Sequence, residues 1–229
     1  DGWMHIRPSS DSIFFGPGRV LAIEKIADGP TETAFRITTD LALPEKTVWE
    51  GGELKRSARL QPVTLRTVVR LGAENDFLEV ETEMDNTVLD HRLQVCFPTD
   101  VQTDTYLAGQ AFAMLERPVG MDAHTTHWKE PQYGDRNFNG TAMLRDECGG
   151  LAFLSAMGLH EVNAMGDDRR TLAVTLMRGF HKTVGNDDYK QLDGELLGKL
   201  HFAYRLMPLT PETSEGHVLR CRDAMQAGV

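Results

Sequence analysis

The stretch that decides the fold is TLRTVVRLGAENDFLEVETEM, residues 64–84. Two runs rich in β-branched and apolar residues, Thr64–Leu71 and Phe77–Met84, flank the turn residues GAEND. Two such runs joined by five residues that include Gly, Asn and Asp are typical of a β-hairpin. In the second run three glutamates alternate with other residues, which predicts a strand with one polar face.

The same period of two recurs along most of the chain. HRLQVCF (91–97) ends at Pro98, and TLAVTLMR (171–178) is almost wholly apolar. About a dozen short strands at such spacing predict an all-β sandwich or barrel. Helical spacing is nearly absent: only GHVLRCRDAMQA (216–227) has apolar residues about one turn apart, and this segment fits a short helix, a strand or coil.

Size and charge limit the classes of function. The chain has 229 residues, enough for one large all-β domain or two small ones. Its 24 basic and 34 acidic residues give a net charge of −10, which disfavours nucleic acids and anionic membranes as partners. No apolar run is long enough to span a membrane, and the first residues lack the apolar core of a signal peptide.

The three cysteines indicate a reducing compartment. Cys96, Cys148 and Cys221 are widely spaced and odd in number, so we expect reduced, buried thiols rather than a disulfide framework. On this basis the predicted location is cytoplasmic.

The longest irregular region is GMDAHTTHWKEPQYGDRNFNG, residues 120–140. Its aromatic residues argue against disorder, and a loop of this length is usually functional. Aromatic rings stack on apolar sugar faces, while amides and guanidinium groups bind hydroxyls. The candidate sugar contacts here are Trp128, Tyr133, Arg136, Asn137 and Asn139. The alternative is that the aromatic residues anchor the loop by packing.

Two further polar segments offer ligands. Asp187 and Asp188 lie in VGNDDYKQLDGE and complete the set of candidate sugar contacts. His124 and His127 have metal-ligand residue types, but a spacing of three in a loop fixes no geometry. We therefore assign no metal ligand in this chain.

Catalytic constellations are incomplete. Asp85, Asp90 and His91 suit acid–base glycosidic chemistry, but they suit turn formation and ion pairing better. His160–Glu161 is either a catalytic pair or the polar end of a strand. The serine-nucleophile motif, the P-loop and the dinucleotide glycine motif are missing from the sequence. We expect no catalytic residue in this chain.

Four motifs in order resemble one family. The run VETEMDNTVLDHRLQVCFPTDV (80–101) looks like the DN…DHRL…FPT signature in the C-terminal region of bacterial α-mannosidases of glycoside hydrolase family 38. GLAFLSAMGLHEV (150–162), TLAVTLMRG (171–179) and GKLHFAYRLMP (198–208) resemble later strands of that region. The resemblance covers about residues 60–210.

The resemblance implies an all-β fold, a large antiparallel β-supersandwich of the galactose mutarotase type. It implies that residues 1–229 form a single β-sandwich region, with leading strands in 1–60, the family-like part in 60–210 and a C-terminal tail in 211–229. The catalytic carboxylate and the metal would belong to an N-terminal catalytic domain outside this sequence. His160–Glu161 would then lie at a strand-end turn.

The function implied is that of a C-terminal region which supports the catalytic domain and lends loops to sugar binding. The intact enzyme would hydrolyse terminal α-mannosides with zinc or another divalent metal; this chain itself would hold no cofactor. Its partners would be the catalytic domain and mannosides. Two alternatives remain: a stand-alone carbohydrate-binding module, and a mutarotase-like epimerase that would use His91, His160 or His201 beside a carboxylate.

Overall fold

The computed structural model describes residues 13–14, 16, 18–121, 123–129, 133–156, 158–159, 161–180 and 193–227. Short 3-10 helices cover Ala123–Thr125 and Asp193–Glu195, and one α-helix, α1, covers Glu215–Ala227. The strands in chain order are β1 (Arg19–Asp28), β2 (Glu32–Pro44), β3 (Thr47–Glu50), β4 (Glu53–Arg56), β5 (Leu60–Gly72), β6 (Leu78–Asn86), β7 (Arg92–Pro98), β8 (Thr105–Gly109), β9 (Met114–Pro118), β10 (Arg136–Asn137), β11 (Thr141–Asp146), β12 (Gly149–Leu154), β13 (Glu161–Ala164), β14 (Thr171–Arg178) and β15 (Gly198–Leu209).

The predicted all-β fold class with large antiparallel sheets is confirmed. The hairpin predicted over residues 64–84 is present: β5 and β6 are neighbours, and the hydroxyl oxygens of Thr67 and Thr82 lie 3.0 Å apart across them. Exposed and buried residues alternate along β6, so its predicted polar face is also confirmed. In the described part of the chain, no helix has the length and apolar character that a membrane crossing requires.

The chain forms two compact units, and each is built from three separate segments. The first unit lies within Asp1–Ala73, Glu81–Leu93 and Met177–Phe202. Its sheet has the order β1, β2, β5, β6 and β15. The register between β2 and β5 is continuous, so alternate residues keep to one face. The buried core of this unit contains Leu43, Val63, Met84, Val88 and Met177.

The core face of the first unit is covered at one end only. Leu43 of β2 is buried, whereas Phe35, on the same face earlier in the strand, is exposed. Ile23 of β1 lies opposite Ile37 and is 64% exposed. An apolar strip therefore continues from the core to an open surface at β1 and β2.

Asp90 organises a tight turn in the first unit. Its φ of 57° places it in the left-handed region, and its carboxylate accepts hydrogen bonds from Thr47 N (3.0 Å) and Thr47 Oγ1 (2.6 Å). Its own N–H donates to the fully buried Glu195 at 2.8 Å, and its carbonyl accepts from Arg56. Asp85 is exposed on β6. The turn predicted at Asp85 and Asn86 is wrong, because both residues lie within β6, whereas the contacts of Asp90 support a structural role for that residue.

His91 follows Asp90 and is held neutral. Both ring nitrogens are buried, and neither has a hydrogen-bond partner among the described residues. Burial is the main cause that lowers the pKa of His91 to about 4; the Arg56 guanidinium acts in the same direction, and the Asp90 carboxylate opposes it. A neutral, enclosed imidazole is poorly suited to acid–base work near pH 7.

The second unit lies within Glu74–Val80, Gln94–Leu176 and Ala203–Val229 and contains two sheets. One sheet has the order β6, β15, β12, β11, β8 and β9; the other has the order β10, β13, β14 and β7. Aromatic rings fill the space between them. Phe153 lies 4.9 Å from Tyr204, and 6.2 Å from both Phe97 and Phe138, between ring centroids. Offset and tilted rings at such distances stabilise a core beyond simple burial.

The C-terminal segment, left open by the sequence, is the helix α1. Ser214 caps its first turn, because its Oγ accepts a hydrogen bond from His217 N at 3.2 Å. Val218 is buried and Cys221 partly buried against a core of the second unit. The helix therefore packs by one short apolar edge.

The prediction of buried thiols is wrong for Cys96 and Cys148, which are both exposed, whereas Cys221 is partly buried. Cys96 lies on β7 next to Phe97, whose ring enters the aromatic core. Because successive side chains of a strand point to opposite faces, Cys96 faces outward.

Gly140 is predicted to be required for folding of the second unit. It has a φ of 65°, and a Cβ there would lie 2.2 Å from the carbonyl oxygen of Ser155. Gly51 has a similar φ of 62° with open space around it. We expect Gly140→Ala to lower the free energy of unfolding by about 2–5 kcal/mol and Gly51→Ala by about 1–2 kcal/mol. Urea unfolding of both variants measures this; equal losses would contradict the clash.

The free energy of unfolding is predicted to decrease as pH falls, because of His91. The pKa of His91 is about 4 in the folded chain and the ordinary 6.5 in the unfolded chain, so the unfolded chain binds more protons between these two pH values. The stabilisation is complete above pH 6.5 and is lost as pH falls towards 4, by up to about 3 kcal/mol. We expect the free energy of unfolding of His91→Leu to depend less on pH than that of the wild type. We expect His201→Gln to show the same pH dependence as the wild type. An unchanged slope in His91→Leu, followed by urea unfolding at several pH values, would refute this assignment.

Candidate functional site

The loop between β9 and β10 presents two aromatic rings of the second unit to solvent. Trp128 follows the short 3-10 helix, and its N–H donates to the carbonyl of Thr125 at 2.9 Å. Trp128 is 51% exposed and Tyr133 is 60% exposed. Rings this exposed are available to an incoming ligand, whereas Phe138 at the end of the loop is buried.

Arg136 fastens this loop to the end of β9. Its guanidinium donates hydrogen bonds to the carbonyls of Tyr133 (3.3 Å), Pro118 (3.2 Å) and Gly120 (3.3 Å). Three of its five donor hydrogens are thereby engaged with backbone. Arg136 was predicted as a sugar contact, and that role stays a prediction; its three bonds tie Tyr133 to the end of β9.

Asn137 and Asn139 face outward on either side of the buried Phe138. Asn137 pairs with Glu161 across β10 and β13, and its carbonyl accepts from Arg117 at 2.7 Å. Asn139 N–H donates to the carbonyl of Gly109 at 2.8 Å. Both backbones are thus fixed, while both residues are exposed.

A row of polar side chains crosses the β10–β13–β14–β7 sheet beside these amides. Gln94 Nε2 donates to Asp135 Oδ1 and to Thr175 Oγ1, each at 3.1 Å. Thr175 Oγ1 donates to Glu161 Oε2 at 2.7 Å, and Glu161 lies opposite Asn137. The row joins two carboxylates through an amide and a hydroxyl. Such groups can accept and donate hydrogen bonds to sugar hydroxyls.

Gly134 allows the loop to pass close over this sheet. A Cβ at Gly134 would lie 2.6 Å from Oδ1 of Asn163, which follows Glu161 by two residues on β13. A larger residue here would make the Asn163 amide turn aside, so glycine is the residue that lets the loop approach the sheet with Asn163 in its present place. No local motif predicts the polar row, because its members are far apart in the chain and Gln94 lies inside a strand.

The remaining predicted residues divide into three groups. Asp187, Asp188 and His160 lie outside the described residues. His124 and His127 are both exposed. Glu161 begins β13 and bonds to a neighbouring strand, so the interpretation of this position as a strand end is supported.

Two of the histidines named for an epimerase, His91 and His201, do not line the pocket described below. His201 Nε2 lies 3.9 Å from Glu81 Oε2, and both side chains are about half exposed on strands. His91 is enclosed and neutral, as described above. These contacts give no support to acid–base chemistry at either residue.

A pocket of about 470 Å³ opens in the second unit, where the β5–β6 turn meets α1. Arg205 forms one wall: its guanidinium donates to Glu79 at 2.8 and 3.1 Å and lies 4.5 Å from the ring centroid of Phe77. At the rim, Asp76 Oδ2 lies 2.6 Å from His217 Nε2, which is 3.8 Å from Cys221 Sγ. No local motif predicts that Asp76, His217 and Cys221 meet, because Asp76 and His217 are 141 positions apart in the chain.

The thiol of Cys221 is mainly protonated in this setting. Burial raises the pKa of Cys221, and the carboxylate of Asp76 raises it further. The guanidinium groups of Arg205 and Arg220 act in the opposite direction.

Comparisons with known proteins found relatives of this chain in sequence and in fold. No family model matches the chain. A protein of Halalkalibacterium halodurans with a proposed mannosylglycerate hydrolase activity is 27% identical over 165 residues, which are 72% of this chain and 18% of that protein.

Two solved structures from Enterococcus faecalis share the fold. A protein in glycosyl hydrolase family 38 matches with a TM-score of 0.73 and 24% identity, over 94% of this chain and 26% of that one. An α-mannosidase from strain V583 matches with a TM-score of 0.74 and 25% identity, over 90% of this chain and 24% of that one. The chain thus spans about a quarter of these structures. The resemblance predicted from the motifs is confirmed: in sequence and fold this chain is similar to part of solved proteins of glycoside hydrolase family 38, one of them an α-mannosidase.

Proposed function

We propose that this chain is the C-terminal β-sandwich region of a family 38 glycoside hydrolase, which supports a catalytic domain and contributes a loop to sugar binding. The intact enzyme hydrolyses terminal α-mannosides. Zinc or another divalent metal serves that reaction, and its ligands and the catalytic carboxylate belong to the catalytic domain. Support comes from the solved structures, of which this chain covers about a quarter.

The observation that carries the sugar-binding part is the surface built by the 120–140 loop. Two exposed rings, Trp128 and Tyr133, belong to the same loop as Asp135, whose carboxylate begins a bonded row with Gln94, Thr175 and Glu161. A sugar presents apolar C–H faces and hydroxyl edges, which such a surface matches. Because Arg136 and Gly134 fix the loop, little ordering entropy is lost when a ligand binds.

The observation that favours a catalytic-domain partner is the apolar strip of the first unit. Phe35 and Ile23 continue the core face of their sheet but are exposed. Large apolar residues on a continuous open face are typical of a surface that another domain covers. A catalytic domain is the proposed cover, since the solved relatives are about four times as long as this chain.

The substrate class is that of mannosides. The H. halodurans relative carries a proposed activity on mannosylglycerate, in which the group beside mannose bears a carboxylate. A stand-alone carbohydrate-binding module is the second candidate, because the loop surface serves binding with or without a catalytic neighbour.

Removal of the exposed rings is predicted to abolish sugar binding. We expect Trp128→Ala and Tyr133→Ala each to weaken the affinity of the chain for mannose-containing oligosaccharides by at least about tenfold, because stacking on each ring is lost. Isothermal titration measures the affinity. The matched control is Phe112→Ala, which removes another fully exposed aromatic ring, outside the loop, and keeps wild-type affinity. Undiminished binding in both loop variants, or none in the wild type, would remove the sugar-binding role.

The chain alone is predicted to hydrolyse no aryl α-mannoside, with or without added zinc, because the catalytic groups belong to another domain. Release of the aryl alcohol is measured against a blank without protein. The control is the full-length enzyme of a relative, which shows turnover under the same conditions. Clear turnover by the chain alone would place catalytic residues within it and overturn the proposal.

A further inference from the structure

Three side chains with different ligand atoms converge at the rim of the pocket beside α1. Asp76 Oδ2, His217 Nε2 and Cys221 Sγ all lie within 4.8 Å of one another. They form a set of a carboxylate, an imidazole and a thiol. Nothing in the family resemblance or in the proposed mannosidase role calls for this arrangement.

The local sequence explains why the set forms. His217 and Cys221 are four residues apart on α1, so their side chains lie on one face of the helix. Ser214 caps the helix at His217 and fixes its first turn. Arg205 donates to the carbonyl of Cys221 at 3.0 Å and holds the next turn. Asp76 is delivered from the turn between β5 and β6.

We propose that Asp76, His217 and Cys221 bind a zinc ion. Zinc is of borderline softness and accepts thiolate sulfur, imidazole nitrogen and carboxylate oxygen in one tetrahedral shell. Three protein ligands leave a fourth position for water, and the rim is open to solvent: the Asp76 side chain is 57% exposed. Magnesium and calcium prefer oxygen ligands alone and do not suit this set.

The distances fit this ion with small adjustments. Tetrahedral coordination at the usual zinc bond lengths separates ligand atoms by about 3.3–3.5 Å. The observed separations are 2.6 Å for Asp76 Oδ2 to His217 Nε2 and 3.8 Å for His217 Nε2 to Cys221 Sγ, and the third pair, Asp76 and Cys221, lies within 4.8 Å. The shorter one has the length of a hydrogen bond, in which a proton lies between oxygen and nitrogen. Zinc would take the place of that proton.

The charges around the site are balanced. Arg205 is already paired with Glu79 across the pocket, which leaves Arg220 as the other cation facing the site. The Asp76 carboxylate and a Cys221 thiolate supply two negative charges to offset a divalent ion. A neutral imidazole that coordinates through Nε2 carries its proton on Nδ1, so only the thiol must lose a proton; zinc uptake releases that proton and strengthens as pH rises.

The test is a metal titration of the reduced full chain. Cobalt(II) serves as a coloured substitute for zinc, and a thiolate ligand gives it a charge-transfer absorption band in the near ultraviolet. We expect one equivalent of cobalt to produce this band and one equivalent of zinc to remove it. We expect Cys221→Ser to abolish the band and Asp76→Asn or His217→Gln to weaken zinc affinity at least about tenfold.

Matched controls come from residues of the same type outside the site. Cys148→Ser removes an exposed thiol, and His124→Gln removes an exposed imidazole; both should keep the band and the affinity. Circular dichroism of each variant checks that it is folded, and Cys221→Ser changes a single atom. A titration without a saturable band, or a band that persists in Cys221→Ser, would overturn the zinc site. Neither result depends on mannosidase activity or on sugar binding.

Discussion

The second unit depends on an aromatic core that holds two sheets together. Phe153 of β12 contacts Tyr204, Phe97 and Phe138, which come from three other segments of the chain. Each sheet presents apolar side chains on its inner face, and neither face is stable in water alone. Rings that meet from four segments therefore fix the register of the strands that carry them. Every surface feature of this unit follows from which residues those strands turn inward.

The loop site is a direct consequence of that constraint. Phe138 enters the core, and the strand alternation then turns Asn137 and Asn139 outward. Phe97 has the same effect on Cys96, which explains why an apolar sequence around a cysteine did not bury its thiol. The same inward turn that stabilises the unit therefore exposes the amide groups that are proposed to bind sugar.

The sequence predicted the fold well because period-two patterns reflect burial on one face of a strand. The hairpin of β5 and β6 and the apolar strand β14 were readable from local residues alone. Positions that depend on distant partners were not. Gln94 bonds to Thr175 and Asp135, and Asp76 bonds to His217, across separations that no local motif records. For α1, weak apolar spacing left three conformations open, and the Ser214 cap together with tertiary packing decided among them.

Arg136 holds its own loop through bonds to backbone carbonyls. A guanidinium in an aromatic loop suggested a direct bond to sugar hydroxyls, yet three of its hydrogens go to backbone carbonyls. Each such bond to a charged donor is worth more than a neutral one, and all three restrain the loop near Tyr133. A ring held in place before a ligand arrives loses little freedom on binding, so its stacking energy appears as affinity. For the proposed sugar surface, the backbone bonds made by Arg136 would therefore matter as much as the rings themselves.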